Sequence, residues 1–203
     1  VRARDGAPDE GRLVVVGLGN PGDRYEATRH NTGAMVVALL ARRAGETLRR
    51  HRSGCLAADT TMGGRRAVLA RPLTYMNDSG RPVRELVRWY RSSPAELVVV
   101  HDELDIPFGQ VRIKFGGGVA GHNGLGSIVA HLGTKDFGRV RVGISRPAGR
   151  RDPVDWVLER FTGAERKQIP EIVERAADAV ERVGAAGYEV AMNEFNARPA
   201  DRA

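Results

Sequence analysis

Leu13-Val14-Val15-Val16-Gly17-Leu18-Gly19-Asn20-Pro21-Gly22 decides the fold. An apolar run stopped by glycine reads as a short strand buried on both faces, because a half-exposed strand would alternate. Ala67 to Ala70 and Leu97 to Val100 read the same way. Helical stretches separate these runs. Ala34 to Ala44 is one, and Val83, Leu86, Val87 and Tyr90 mark another by their i, i+3, i+4, i+7 spacing. Val111 to Phe115 and Arg139 to Ile144 alternate, with Arg112, Lys114, Arg139 and Arg141 set opposite apolar residues. Leu125 to Leu132 and a final amphipathic stretch through Ile169, Val173, Val180 and Val183 complete the pattern. Strands interleaved with helices predict a single α/β domain. Its sheet is twisted, mostly parallel but mixed, and flanked by helices on both faces.

The 203 residues suit one domain, expected over 13–196, with tails at 1–12 and 197–203. No run is long enough to cross a bilayer, and the charged start VRARDGAPDEGR has no apolar signal core. Cys55 is the single cysteine, which excludes an intrachain disulfide and fits a reducing, cytoplasmic setting. Lys+Arg outnumber Asp+Glu by 32 to 25, a net charge of +7. Only Lys114, Lys135 and Lys167 are lysines; the other basic residues are arginines. A positive field of this kind attracts polyanions, of which nucleic acid is the commonest.

Three motifs imitate other chemistries. Gly17-x-Gly19-x-x-Gly22 fits a dinucleotide fingerprint, yet Pro21-Gly22 reads as a turn where a helix must begin. Gly33 to Leu40 also lacks the acid that would hold a ribose. Gly116 and Gly121 are spaced as in a phosphate loop, but His122-Asn123 stands where Lys-Ser/Thr is needed. His30, His51, His101, His122 and His131 form no metal-binding spacing, so no metal and no cofactor are expected.

In open α/β sheets ligands bind beyond the carboxyl ends of the strands. Asn20, His30, Asn31, Asn77, Asp102, His122 and Asn123 all fall on such segments. Each has an ordinary structural reading as a turn, a cap or a strand end. Together they make a site. A histidine beside a carboxylate acts as a general base, and asparagine amides donate to a carbonyl or oxyanion. No Gly-x-Ser-x-Gly elbow is present, which favours attack by water over an acyl-enzyme. The residues alone lead to a hydrolase-like site on a basic α/β domain.

At these residues the chain resembles the bacterial-type peptidyl-tRNA hydrolases. The resemblance rests on VVGLGNPGDRYEATRHNTG (15–33), RPLTYMNDSG (71–80), VVVHDELDIPFG (98–109), GGGVAGHNGLGSI (116–128), FGRVRVGISRP (137–147) and MNEFN (192–196), in order along the chain. It implies cleavage of the ester between a peptide and the 3′-terminal ribose of tRNA, recycling tRNA from peptides dropped by ribosomes. His30 would activate water and Asp102 would orient His30. Asn20 and Asn77 would position the substrate and stabilise the oxyanion, and Asn123 would hold the peptide part and the water. Tyr25, Met76 and His122 would line or gate the cleft. Lys114 and Arg141 resemble a clamp on the tRNA 5′-phosphate, extended by Arg112 and Arg139, and residues 146–161 resemble a mobile lid. The resemblance further implies a monomer with peptidyl-tRNA as its partner, no obligatory protein partner and no membrane. Two departures stand out. Val119-Ala120 lies where small residues or another glycine are usual, and Gly126 stands where a lysine commonly follows the Gly-His-Asn-Gly-Leu motif. The rival reading is a non-catalytic RNA-binding protein on the same scaffold.

Overall fold

The structure of the protein, a computed structural model, describes residues 11–197. Among the described residues there are seven strands: β1 (Leu13–Gly17), β2 (Arg49–Arg50), β3 (Cys55–Met62), β4 (Arg65–Pro72), β5 (Leu97–Glu103), β6 (Val111–Phe115) and β7 (Gly138–Gly143). They form one sheet in the order β2-β3-β4-β1-β5-β7-β6. The centre, β4-β1-β5-β7, is parallel, and β2, β3 and β6 join antiparallel. The helices are α1 (Thr32–Arg43), α2 (Gly80–Trp89), α3 (Asn123–Leu132), α4 (Pro153–Leu158) and α5 (Gly163–Asn196), the last broken at Gly187.

Residue parity along the strands sorts the core. Leu13, Val15, Val98 and Val100 pack with Val36, Val37 and Leu40 of α1 and Val173 and Val180 of α5. Val14, Val16, Leu97 and Val99 face the other way, onto Val83 and Leu86 of α2 and Leu125 and Ile128 of α3. The central strands are therefore sealed on both sides, as their unbroken apolar runs require. A third, smaller cluster of Ile144, Val157 and Phe161 seats α4.

Two glycines set how close α1 comes to the sheet. A Cβ on Gly17 would lie 2.1 Å from the carbonyl oxygen of Gly33, and one on Gly33 would lie 2.1 Å from that of Val100. The Gly-x-Gly signal after β1 thus serves helix–strand packing. Gly22 sits at φ 98°, and no helix begins before the 3₁₀ turn Arg29–Asn31. This is the turn expected of Pro21-Gly22, in place of a phosphate-facing helix terminus.

Several expectations are amended. The β3–β4 hairpin lengthens the Ala67–Ala70 run and adds β3, a strand whose Ala, Asp and Thr residues carry no strong pattern. β5 continues past Val100, so Asp102 lies on a strand paired with Val142 rather than on a loop. α5 begins at Gly163 behind a capping box of Thr162 and Glu165, well before Ile169. Of the expected tails, residues 1–10 and 198–203 lie outside the described residues. Gly11 and Arg12 accept hydrogen bonds on their carbonyls from Arg65 and Ser92.

Candidate active site

A cleft of about 440 Å³ opens beyond the carboxyl ends of β4, β1 and β5. Asn20, Tyr25 and His30 reach it from the segment after β1, and Tyr75, Met76 and Asn77 from the segment after β4. Asp102 enters from β5, and His122 and Asn123 from the start of α3. Pro153, Val154, Val157 and Leu158 of α4 form a wall.

Asp102 is the hub. Its carboxylate lies 2.9 and 3.0 Å from Nδ1 of His30 and 3.2 Å from Nε2 of His122. The amide N–H of Leu125 donates to Nδ1 of His122 at 3.3 Å, so the hydrogen of that ring sits on Nε2 and points at Asp102. His101, on the same strand, donates from Nδ1 to the carbonyl of Asp102 at 2.7 Å. Ligand atoms of His30, Asp102 and His122 lie within 4.8 Å of one another. In this hydrogen-bonded arrangement both rings offer N–H groups to the carboxylate, whereas a metal needs ring lone pairs.

These contacts polarise the group. Burial pushes the Asp102 carboxyl up, but the charge of His30 and the hydrogen bonds of His122 and His30 outweigh it and hold the acid well below its usual range. Burial pulls His30 down, and the charge and hydrogen bond of Asp102 reverse this, leaving its pKa above 6.5. His101 is pushed down to about 3 by burial first and by His122 second, so it stays neutral.

An asparagine network locks the loops. Asn31 accepts the N–H of Asn20 on Oδ1 (2.8 Å) and donates from Nδ2 to its carbonyl (2.9 Å). Oδ1 of Asn20 then accepts the N–H of Met76 at 2.8 Å. This fixes which way the Asn20 amide points: its oxygen is held at the Met76 backbone, and its NH₂ is the end left to serve the cleft. Asn31 thereby fastens the segment after β1 to the turn carrying His30. Asn77 and Asn123 are exposed at the cleft. Ala120, also on the cleft, sits at φ 46°, a conformation glycine adopts without steric cost.

The basic residues divide. On paired strands β6 and β7, Arg112 lies opposite Arg141 and Lys114 opposite Arg139. Lys114 is exposed, Arg112 is half-buried, and Arg141 pairs with Glu103 at 3.1 Å. Arg139 departs from expectation. It is 2% exposed and its guanidinium donates to the carbonyls of Gly117 and Gly118. The glycine loop has folded over it, so it braces that loop and is unavailable to a phosphate. Strand parity rightly puts the four on one side of the sheet, but it carries no information about a loop that covers one of them.

Two residues near the site carry no signal in the sequence. His101 is one. Arg29 is the other; its acidic partner Glu165 lies 136 residues away and it is one arginine among many.

The sequence model of the family described as Peptidyl-tRNA hydrolase matches residues 14–202. A peptidyl-tRNA hydrolase of Mycobacterium sp. (strain KMS) is 57% identical over 182 residues, covering 89% of this chain and 95% of its own. One from Frankia alni is 54% identical over 189 residues, covering 93% and 96%. The crystal structure of peptidyl-tRNA hydrolase from Acinetobacter baumannii superposes with a TM-score of 0.86 at 35% identity, covering 95% of this chain and 98% of that one.

Proposed function

The chain belongs to the peptidyl-tRNA hydrolase family, and on that premise we propose that His30 is the general base of its reaction. The protein hydrolyses peptidyl-tRNA, giving free tRNA and peptide. The non-catalytic RNA-binding alternative is not favoured. In our reading Nδ1–H of His30 stays on Asp102, leaving Nε2 to take a proton from water. That water attacks the ester carbonyl carbon. The NH₂ of Asn20, with Asn77, stabilises the oxyanion, and Asn123 holds the peptide part and the water. As the intermediate collapses, the proton on His30 passes to the departing ribose oxygen. Tyr25, Met76 and His122 shape the cleft, with His122 also holding Asp102.

Lys114, Arg112 and Arg141 form the phosphate clamp, on the edge strand β6 and its neighbour β7. Segment 146–161, with α4 as its core, covers the cleft within the 13–196 domain. We take the enzyme to act as a monomer on peptidyl-tRNA, with no obligatory protein partner. Among the described residues no helix is long and apolar enough to cross a membrane, and we assign the enzyme to the cytoplasm, where its substrate arises.

The buried His30–Asp102 pair at the cleft is the observation that carries this reading. His30→Ala, assayed on N-acetylated aminoacyl-tRNA, should lose about 10²- to 10⁴-fold in turnover while binding uncharged tRNA as before. Full activity in that variant would end it.

A further inference from the structure

Arg29, the residue before His30, carries a charge in an unusual place. It is 0% exposed. Burying a guanidinium costs several kcal/mol before any partner is found, and such pairs are weak sources of net stability. Its guanidinium contacts run to residues 156–165. Nη2 donates to Glu165 at 2.7 Å, and Nη1 donates to the carbonyl of Arg160 at 3.0 Å. Its backbone N–H donates to the carbonyl of Glu159 at 3.1 Å, and Thr28 bridges Arg160. The guanidinium carbon lies over the Trp156 ring, 3.6 Å from its centroid, with the Phe161 centroid at 5.2 Å.

Trp156 belongs to α4, and residues 159–161 follow α4 directly. The far end is fixed too. Trp156 donates its indole N–H to the carbonyl of Ser145 at 2.9 Å. Glu165 is the reciprocal cap of α5, taking the N–H of Thr162 at 2.7 Å. One arginine therefore joins the turn that carries His30, the apolar wall of the cleft and the first turn of α5.

We propose that Arg29 is a positioning residue that sets the α4 wall at its working distance from His30, so that Val154, Val157 and Leu158 grip the bound substrate. The inference rests on the cleft being the substrate site. Only arginine suits the task. Its planar fork serves a carboxylate, a carbonyl and an aromatic face at once, and a lysine supplies a single ammonium. His30 itself is held by Asp102 and by the Asn31–Asn20 lock, neither of which includes Arg29. Loosening the wall should then weaken substrate capture and leave the base intact.

The test compares wild type, Arg29→Lys, Arg29→Met and Glu165→Gln on N-acetylated aminoacyl-tRNA, well below each variant's Tm. For Arg29→Lys, KM should rise about tenfold while kcat stays within about twofold, and the acid inflection of kcat should not move. Glu165→Gln keeps the stack and the carbonyl bonds and should give a smaller rise in KM. In a Trp89→Phe background Trp156 is the sole tryptophan, and its quenching by acrylamide should increase in Arg29→Lys. Arg29→Lys is the deciding variant if Arg29→Met fails to fold. A lowered Tm with unchanged KM would reduce Arg29 to a structural residue and overturn the proposal. A fall in kcat with a shifted inflection would also overturn it, by placing the effect on His30. Absence of turnover in wild type would instead break the hydrolase reading on which the proposal stands.

Discussion

Nδ1 of His30 lies 2.9 Å from one carboxylate oxygen of Asp102 and 3.0 Å from the other. The near-equal distances make Asp102 a two-point seat for the ring, fixing both its tautomer and its plane. Because the carboxylate favours the protonated imidazole, the pKa of His30 lies above 6.5. A general base works unprotonated, so kcat/KM should rise with pH and level off above an inflection higher than 6.5. In Asp102→Asn the charge is gone and burial remains, so the inflection should move below the wild-type value while the plateau falls about 10²- to 10⁴-fold. A pH–rate profile of both proteins checks this, and an unmoved inflection would remove Asp102 from its assigned role.

Asn20→Asp separates the two ends of one side chain. The variant can still accept the Met76 N–H, which keeps the loop in place. It lacks the NH₂ assigned to the oxyanion. Turnover should fall about 10²- to 10³-fold with little change in KM or Tm. Retained turnover would move the oxyanion contact elsewhere.

The basic residues should separate by salt dependence. Lys114→Ala and Arg112→Ala should each raise KM and lower its log–log slope against salt by about one. Arg139→Ala should leave the slope alone and lower Tm, because its donors hold the carbonyls of Gly117 and Gly118. A reduced slope in Arg139→Ala would return it to the phosphate clamp.

His101 should mark the acid stability of the enzyme. Unfolded, it takes up a proton below about pH 6.5, but folded it resists until about pH 3. The unfolded chain binds the extra proton between these limits, so stability drains away as pH falls from 6.5 towards 3. His30, raised in the folded state, gains its stabilisation as pH falls towards 6.5 and contributes a constant amount below that, and Asp102 adds its own loss only below its ordinary value of 3.8. His101→Asn should shrink the drop in urea midpoint between pH 7 and pH 4.5. An equal drop in the variant would acquit His101.

Gly126→Lys should stabilise the protein. The position is inside α3, and a Cβ there meets open space. Replacing an interior helix glycine gains about 0.7 kcal/mol, or roughly 2 °C in Tm for a domain of this size. The added charge, at the position where the resemblance implies a lysine, should also lower KM at low salt. A Tm below wild type would show the helix surface is not free there.

Legibility followed the strength of each local signal. Leu13–Val16 and Leu97–Val100 were readable as strands because burial on two faces needs apolar residues at every position. The site residues were readable because a parallel sheet gathers its strand ends, and Asn20, His30, Asn77 and Asp102 all lie at those ends. β3 was not readable: Ala57, Ala58, Asp59 and Thr60 become a strand only by pairing with β4. The full length of α5 was hidden by Pro170, a helix-breaking signal that the helix accommodates, and by Gly187, which does break it at φ 79°. Arg29 and Arg139 were hidden for a common reason. A buried arginine is defined by the loop that folds over it, and that loop comes from elsewhere in the chain.

His30 and Asp102 stand 72 residues apart and meet only when β1 and β5 lie side by side in register. The enzyme, while being made, is itself a peptide joined to tRNA by the ester it cleaves. Until residue 102 has been synthesised and threaded beside β1, the growing chain holds a histidine without its acid. Long-range closure of this kind is slow compared with local helix formation, so the nascent protein carries no complete base–acid pair until both strands have been made and have paired.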